Sequence, residues 1–259
     1  MASQQGRFVW YELMTTDTAA AERFYREVVG WSAADAGMPD MAYTILSAGE
    51  APVGGLMALP AEVAAAGGQP GWIGYIAVDD AEAMAERAKA AGGAVHRAPE
   101  DTPGIGRFAV IGDPHGAVFA LFQATDGGEG PPAAPMGTPG HVGWRELMAG
   151  DLDSAFTFYA GLFGWTKAEA HDMGPMGVYQ LFATGGETAG GMMTKPAEVP
   201  APYWGYYFNV PEIEAAAARV KAAGGQLING PMEVPGGSWV MQGLDPQGAL
   251  FALVAPPKG

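Results

Sequence analysis

The chain repeats itself, and a repeat fixes domain number before any fold is assumed. Trp10-Tyr-Glu-Leu-Met14 recurs as Trp144-Arg-Glu-Leu-Met148. At the same spacing of 134 residues follow Asp17 and Asp151, Phe24-Tyr25 and Phe158-Tyr159, and Gly30-Trp31 and Gly164-Trp165. Further on, Tyr43 matches Tyr179, Gly54-Gly55 matches Gly190-Gly191, and Pro60-Ala-Glu-Val63 matches Pro196-Ala-Glu-Val199. After a short deletion, Asp113-Pro-His-Gly116 matches Asp245-Pro-Gln-Gly248, and Phe119 matches Phe251. So many ordered matches imply two copies of one unit.

Between the copies, residues 124–140 are too rich in Gly and Pro to continue a helix or a central strand. The expected organisation is therefore a first domain over 1–123, a linker over 124–140 and a second domain over 141–259. With 49% apolar and 16% charged residues the chain has the balance of a globular protein. A formal net charge of −15 repels phosphate backbones and anionic lipid, which argues against nucleic acid and membrane as partners. Cysteine is absent, which removes disulfides and thiolate metal sites. The first residues lack the apolar core of a secretory leader, and the default expectation is a cytoplasmic location.

Residues 7–14 alternate, with Phe8, Trp10, Glu12 and Met14 on one side and Val9, Tyr11 and Leu13 on the other, which predicts a strand. Asp17 then suits a helix cap, Phe24 and Val28 make an apolar stripe, and Gly30 ends the helix. Short strands are expected around 43–46 and 53–57 and another over 72–78. A helix over 81–91 and a hairpin across the Asp113-Pro-His-Gly116 turn follow. The second copy repeats the pattern.

A strand-helix-strand-strand-strand module used twice per domain resembles the vicinal-oxygen-chelate superfamily of glyoxalases, bleomycin-resistance proteins and dioxygenases. The residues that carry the resemblance are Asp17…Phe24-Tyr25…Gly30-Trp31 and Asp113-Pro-His-Gly116…Phe119 with their copies. The resemblance implies an α+β fold of two tandem domains, each of two βαβββ modules forming an open curved barrel. It also implies a concave face that holds substrate and, in many relatives, a divalent metal. Transferred by motif spacing, the ligand positions fall on Trp10 and Trp144 in the first strands and on Ala120 and Ala252 in the last. None of these side chains ligates a divalent ion. No metal and no other cofactor is therefore expected.

What this face keeps is Glu12 and Glu146, two residues beyond each tryptophan and on the same side of the strand. A carboxylate in an aromatic, partly dry setting is expected to have a raised pKa and to suit proton transfer. The plainer alternative is that both acids satisfy backbone amides or pair with Arg7 or Arg145. Trp10, Tyr43, Trp72 and Tyr75, with Trp144, Tyr179, Trp204 and Tyr206, are candidates to line two cavities for a flat organic ligand, the alternative being core packing. The four histidines and the Gly-Gly pairs read as surface residues and turns, and no Ser-His-Asp set supports a hydrolase.

The expected function is that of a glyoxalase/bleomycin resistance/dioxygenase-like protein. It binds a small aromatic or carbonyl-containing molecule in metal-free cavities. The alternatives are a metal-independent lyase or isomerase with Glu12 or Glu146 as base, and a divalent-metal glyoxalase or dioxygenase. The expected partner is a small molecule, and the chain is expected to be a monomer that pairs its own two halves, or a homodimer.

Overall fold

The computed structural model describes residues 4–38, 41–125 and 134–258. The first copy contributes β1 (Phe8–Thr15), α1 (Thr18–Val28), β2 (Ser32–Asp35), β3 (Tyr43–Ala48), β4 (Ala51–Ala58), α2 (Ala61–Ala65), β5 (Gly71–Ala77), α3 (Ala81–Ala90), β6 (Ala94–Thr102), β7 (Gly106–Gly112) and β8 (Val118–Ala124). The second contributes β9 (Val142–Ala149), α4 (Leu152–Phe163), β10 (Thr166–Asp172), β11 (Val178–Thr184), β12 (Glu187–Thr194), β13 (Tyr203–Asn209), α5 (Ile213–Ala222), β14 (Gln226–Glu233), β15 (Trp239–Leu244) and β16 (Leu250–Ala255). Apart from the short α2, each copy reads βαβββ twice, the mixed α+β pattern that the family resemblance implied.

Each copy makes one eight-stranded sheet, in the orders β2-β3-β4-β1-β5-β8-β7-β6 and β10-β11-β12-β9-β13-β16-β15-β14. The sheets are open: β2 and β6 end the first, β10 and β14 the second. These four edge strands are the elements that alternation does not reveal, because Ser-Ala-Ala-Asp or Thr-Lys-Ala-Glu-Ala-His-Asp lies largely exposed and has no apolar face to display. The segment expected to link the copies, 124–140, falls partly outside the described residues. No helix among the described residues is long and apolar enough to cross a membrane.

Local chemistry explains the helices. Asp17 accepts from the Ala20 N–H at 2.9 Å and Asp151 from the Ser154 N–H at 2.9 Å, so both caps predicted from sequence form. On α1 the buried residues Ala21, Phe24, Tyr25 and Val28 follow helical spacing. Gly164 ends α4 with a φ of 70°, a left-handed value that costs glycine little.

Compactness does not follow the copies. One compact unit comprises Met1–Val9, Ile73–Pro132 and Arg145–Trp204, the other Trp10–Trp72, Ala133–Trp144 and Gly205–Gly259. Each unit thus joins the second module of one copy to the first module of the other. In the second of these units, the Tyr25 hydroxyl donates to Asp245 at 3.2 Å and accepts from the Trp72 indole N–H at 2.9 Å. Phe24, Trp31, Phe208 and Phe251 pack around this buried pair with ring centroids 4.9–5.9 Å apart. The first unit has its own version: Tyr159 donates to Asp113 at 3.3 Å and accepts from Trp204 at 2.9 Å.

The two sequence motifs therefore meet physically. The Asp of Asp-Pro-x-Gly holds its own turn, Asp245 accepting from the Gln247 and Ala249 N–H groups and Asp113 from those of His115 and Ala117. Its other oxygen takes the tyrosine of the Phe-Tyr motif from the opposite copy. Indole anchors repeat as well, since Trp31 donates to the Gly140 carbonyl at 2.8 Å and Trp165 to that of Gly6 at 2.7 Å.

Burial pushes the Asp245 carboxyl above its ordinary value, against the backbone N–H groups and Tyr25 that favour the anion. A carboxyl with a raised folded pKa stabilises the fold most when protonated. That contribution is complete below the unfolded value and is lost as pH rises through the folded one. Asp245→Asn is accordingly expected to show a shallower decline in stability than the parent above about pH 4, read from urea midpoints across pH. Parallel curves for the two proteins would refute this assignment.

Candidate functional site

On β1 to β4, alternation assigns residues to two faces. Tyr11, Leu13, Leu46 and Leu56 are buried on one face, and Gly54, Trp72 and Tyr25 lie together on the same side. The other face carries Trp10, Glu12, Tyr43 and Gly55. Glu12 pairs in register with Gly55 on β4, and Tyr43 with Met57, so Tyr43 has to lean across Gly55 to reach Glu12. A Cβ built on Gly55 would stand 1.8 Å from the Tyr43 hydroxyl oxygen. Glycine at this position is therefore a condition of the arrangement.

The Tyr43 hydroxyl accepts from the Trp10 indole N–H at 3.0 Å and hydrogen-bonds Glu12. Burial first, and the charge of Glu12 second, raise the phenol far above its ordinary pKa. Tyr43 stays protonated at every physiological pH and serves as a fixed donor. Glu12 is only 8% exposed, a charged residue kept on a nearly dry surface.

The second copy reproduces this in the other compact unit. Glu146 pairs with Gly191, a Cβ on Gly191 would meet the Tyr179 ring at 2.3 Å, and the Tyr179 hydroxyl donates to Glu146 at 2.9 Å. Glu146 is likewise 8% exposed. Trp144, two residues before Glu146, holds the place of Trp10 in the alternation. Tyr203 adds a phenol that the first copy lacks, since Gly71 stands at the matching position. Burial, then the charge of Glu146, raises Tyr203 to about 12.

The structure thus brings together Trp10, Glu12 and Tyr43, and separately Glu146 and Tyr179. Tyr75 shares a face with Ala120, with which it is in register, and its ring is 6.3 Å from that of Phe108. Trp72 and Trp204 lie on the opposite face of their strands, where their indole N–H groups are engaged by Tyr25 and Tyr159. Tyr206 also points that way and meets Tyr11 edge-on at 5.1 Å. The residue that matches Tyr75 at the 132-residue spacing is Tyr207, which pairs with Ala252 and accepts from Gln242 at 2.7 Å. Counting the spacing through β13 would have found it. Of the arginines weighed as partners for the acids, Arg7 forms an ion pair with Glu187, and Arg145 alternates onto the face away from Glu146.

The four positions onto which motif spacing transfers the family's metal ligands, Trp10, Trp144, Ala120 and Ala252, offer indole and methyl groups. Among the described residues no three His, Cys, Asp or Glu side chains cluster closely enough to hold an ion. This donor set does not fit a divalent metal. What each site can do with its own groups is donate from a phenol, accept on a carboxylate and stack an aromatic ring.

The family model of the Glyoxalase/Bleomycin resistance protein/Dioxygenase superfamily matches residues 7–121 and again 138–253. Anthracycline biosynthesis protein DnrV of Streptomyces peucetius is 33% identical over 271 aligned positions, covering 98% of this chain and 94% of that protein. CFP32 of Mycobacterium tuberculosis, provisionally named a glyoxylase, is 32% identical over 255 residues, 98% of this chain and 96% of its own length. The Mn(II)-bound glyoxalase of Novosphingobium aromaticivorans superposes with a TM-score of 0.65 at 17% identity, covering 99% of this chain and 84% of that one, a likeness of fold alone.

Proposed function

We propose that this chain, which belongs to the Glyoxalase/Bleomycin resistance protein/Dioxygenase superfamily, binds a small aromatic molecule bearing carbonyl or hydroxyl oxygens at its Glu-Tyr pairs, without a metal. The observation that carries this reading is the phenol laid over a glycine onto a nearly dry carboxylate, built once in each copy. Each phenol's one proton is given to its carboxylate, which it holds in place on an aromatic surface, and the carboxylate's remaining lone pairs can accept from a hydroxyl of a flat ligand. The relatives named for anthracycline biosynthesis support a polycyclic, oxygen-bearing ligand as the class to test.

A second reading gives Glu146 the task of moving a proton on the bound molecule. It is favoured by Tyr203, a phenol that remains protonated to about 12 and feels the charge of Glu146. Here Glu146 would take a proton from carbon and a tyrosine would steady the oxygen that gains charge.

Titration with 1,4-dihydroxyanthraquinone, read by quenching of tryptophan emission, tests the binding. Tyr43→Phe and Tyr179→Phe are each expected to weaken it about fivefold to tenfold at their own copy, the worth of one hydrogen bond. Glu146→Gln keeps an acceptor for Tyr179 and is expected to retain binding. Under the second reading it also abolishes exchange of the methyl protons α to the carbonyl of 2-acetylnaphthalene, a second aromatic probe that carries such protons. The absence of saturable quenching, or affinity untouched by both tyrosine variants, refutes the proposal.

A further inference from the structure

The chain leaves the first module differently in the two copies. Leu59 and Lys195 follow β4 and β12 at matched positions, one residue before the repeated Pro-Ala-Glu-Val, and their N–H groups donate to the Thr15 and Ala149 carbonyls at 2.8 Å each. After Leu59 the chain enters α2. After Lys195 it makes a turn instead, in which the Val199 N–H donates to the Pro196 carbonyl at 3.1 Å. The 3-10 turn Gly174–Met176, which leads into β11, lies across from it. Between the two segments is an open cavity of about 430 Å³, walled by Pro175, Met176 and Gly177 on one side and by Lys195, Pro196 and Glu198 on the other. All of these residues belong to one compact unit.

With 28 acidic residues against 13 lysines and arginines, the chain has carboxylates to spare for any lysine. Lys195 takes none of them. It is part-buried, its ammonium donates to the Val199 carbonyl at 2.7 Å, and among the described residues that carbonyl is its one polar partner. A single bond to a neutral oxygen fixes where the ammonium stands and leaves two N–H groups and the charge uncompensated beside the cavity. The first copy makes the same strand end with the alkyl side chain of Leu59, so the strand end itself does not require a cation. Met176 stands 56% exposed at the mouth, a polarizable thioether next to the flat apolar rings of Pro175 and Pro196. A fixed cation over an apolar wall suits a carboxylate carried on a flat apolar body. Glu198 on the rim and the net charge of −15 disfavour a dianion such as a phosphate monoester, so the fitting ligand carries one negative charge.

We propose that this cavity binds a small aromatic monocarboxylate, with Lys195 holding the carboxylate. The site goes beyond the Glu-Tyr pairs, since neither Glu146 nor Tyr179 is part of its wall. It belongs to the second copy, because the first has Leu59 in the place of the cation.

Calorimetric titration of the whole chain with 2-naphthoate, and with 2-naphthamide as its uncharged counterpart, tests this. The parent is expected to bind naphthoate saturably and the amide about tenfold more weakly. Lys195→Met, which keeps most of the stem, is expected to lose about tenfold for naphthoate and nothing for the amide, while Lys195→Arg retains naphthoate. Glu198→Gln leaves the Val199 bond alone and is expected to tighten naphthoate about twofold to threefold. If Lys195→Met weakens both probes alike, the lysine serves only to tie down the turn after it, and the proposal is overturned. It is overturned as well if naphthoate does not saturate, or if its affinity responds to Tyr179→Phe and not to Lys195→Met. Dihydroxyanthraquinone binding at the Glu-Tyr pairs is measured separately, so either reading can fail while the other stands.

Discussion

Replacing Tyr25 with Phe is expected to lower the free energy of unfolding by about 3 kcal/mol, and Tyr159→Phe by a similar amount. Each hydroxyl sits at a junction, accepting from an indole and donating to a carboxylate that also anchors a tight turn. Phenylalanine fills the same space, so packing is nearly unchanged and the loss is electrostatic. It leaves the Trp72 or Trp204 N–H, and one oxygen of Asp245 or Asp113, short of a bond in a buried setting, and orphaned polar groups cost more than the bond itself was worth. Urea denaturation of the two single variants and the double measures this. The double variant is expected to add the two effects, because the junctions lie in different compact units. A loss below 1 kcal/mol, on the order of an exposed hydrogen bond, would show that water reaches these hydroxyls.

Gly55→Ala is expected to cost at least tenfold in ligand affinity at the first copy. The new methyl would overlap the Tyr43 hydroxyl, and a Tyr ring yields more easily than a strand. The ring must swing off β4, which parts it from both Trp10 and Glu12. Gly191→Ala does the same to Tyr179 and Glu146. The distinguishing readout is fluorescence: the Trp10 indole loses its hydrogen-bond partner in Gly55→Ala but not in Gly191→Ala, so the parent emission should shift in the former alone. Unchanged emission and unchanged dihydroxyanthraquinone binding in Gly55→Ala would mean that the Tyr43 pose is dispensable.

The repeat, the helix caps at Asp17 and Asp151, and the central strands were legible because each leaves a local mark: a matched motif, a capping side chain, an alternating run. The family was legible from the same motifs. Glu12, Glu146, Tyr43 and Tyr179 could be chosen from residue type and parity, but the use of Gly55 and Gly191 could not, since a glycine's absent side chain shows its purpose only when a tyrosine lies over it. Parity failed at β13, where Tyr203, Tyr206 and Tyr207 crowd one strand and a single step selects the opposite face. Trp72 and Trp204 were ambiguous for another reason. An indole serves a cavity or a core equally well, and only the meeting with Tyr25 or Tyr159 decides. Gln242 lacked any motif and acquires meaning from Tyr207, 35 residues away.

The crosswise meeting of Phe-Tyr with Asp-Pro-x-Gly makes each half of the gene product the custodian of the other's interior. Neither half expressed alone could cover Tyr25 or Tyr159 with its own chain, and its remedy would be to recruit a twin in the same reciprocal manner. Within one chain that encounter is between neighbours and does not depend on protein concentration.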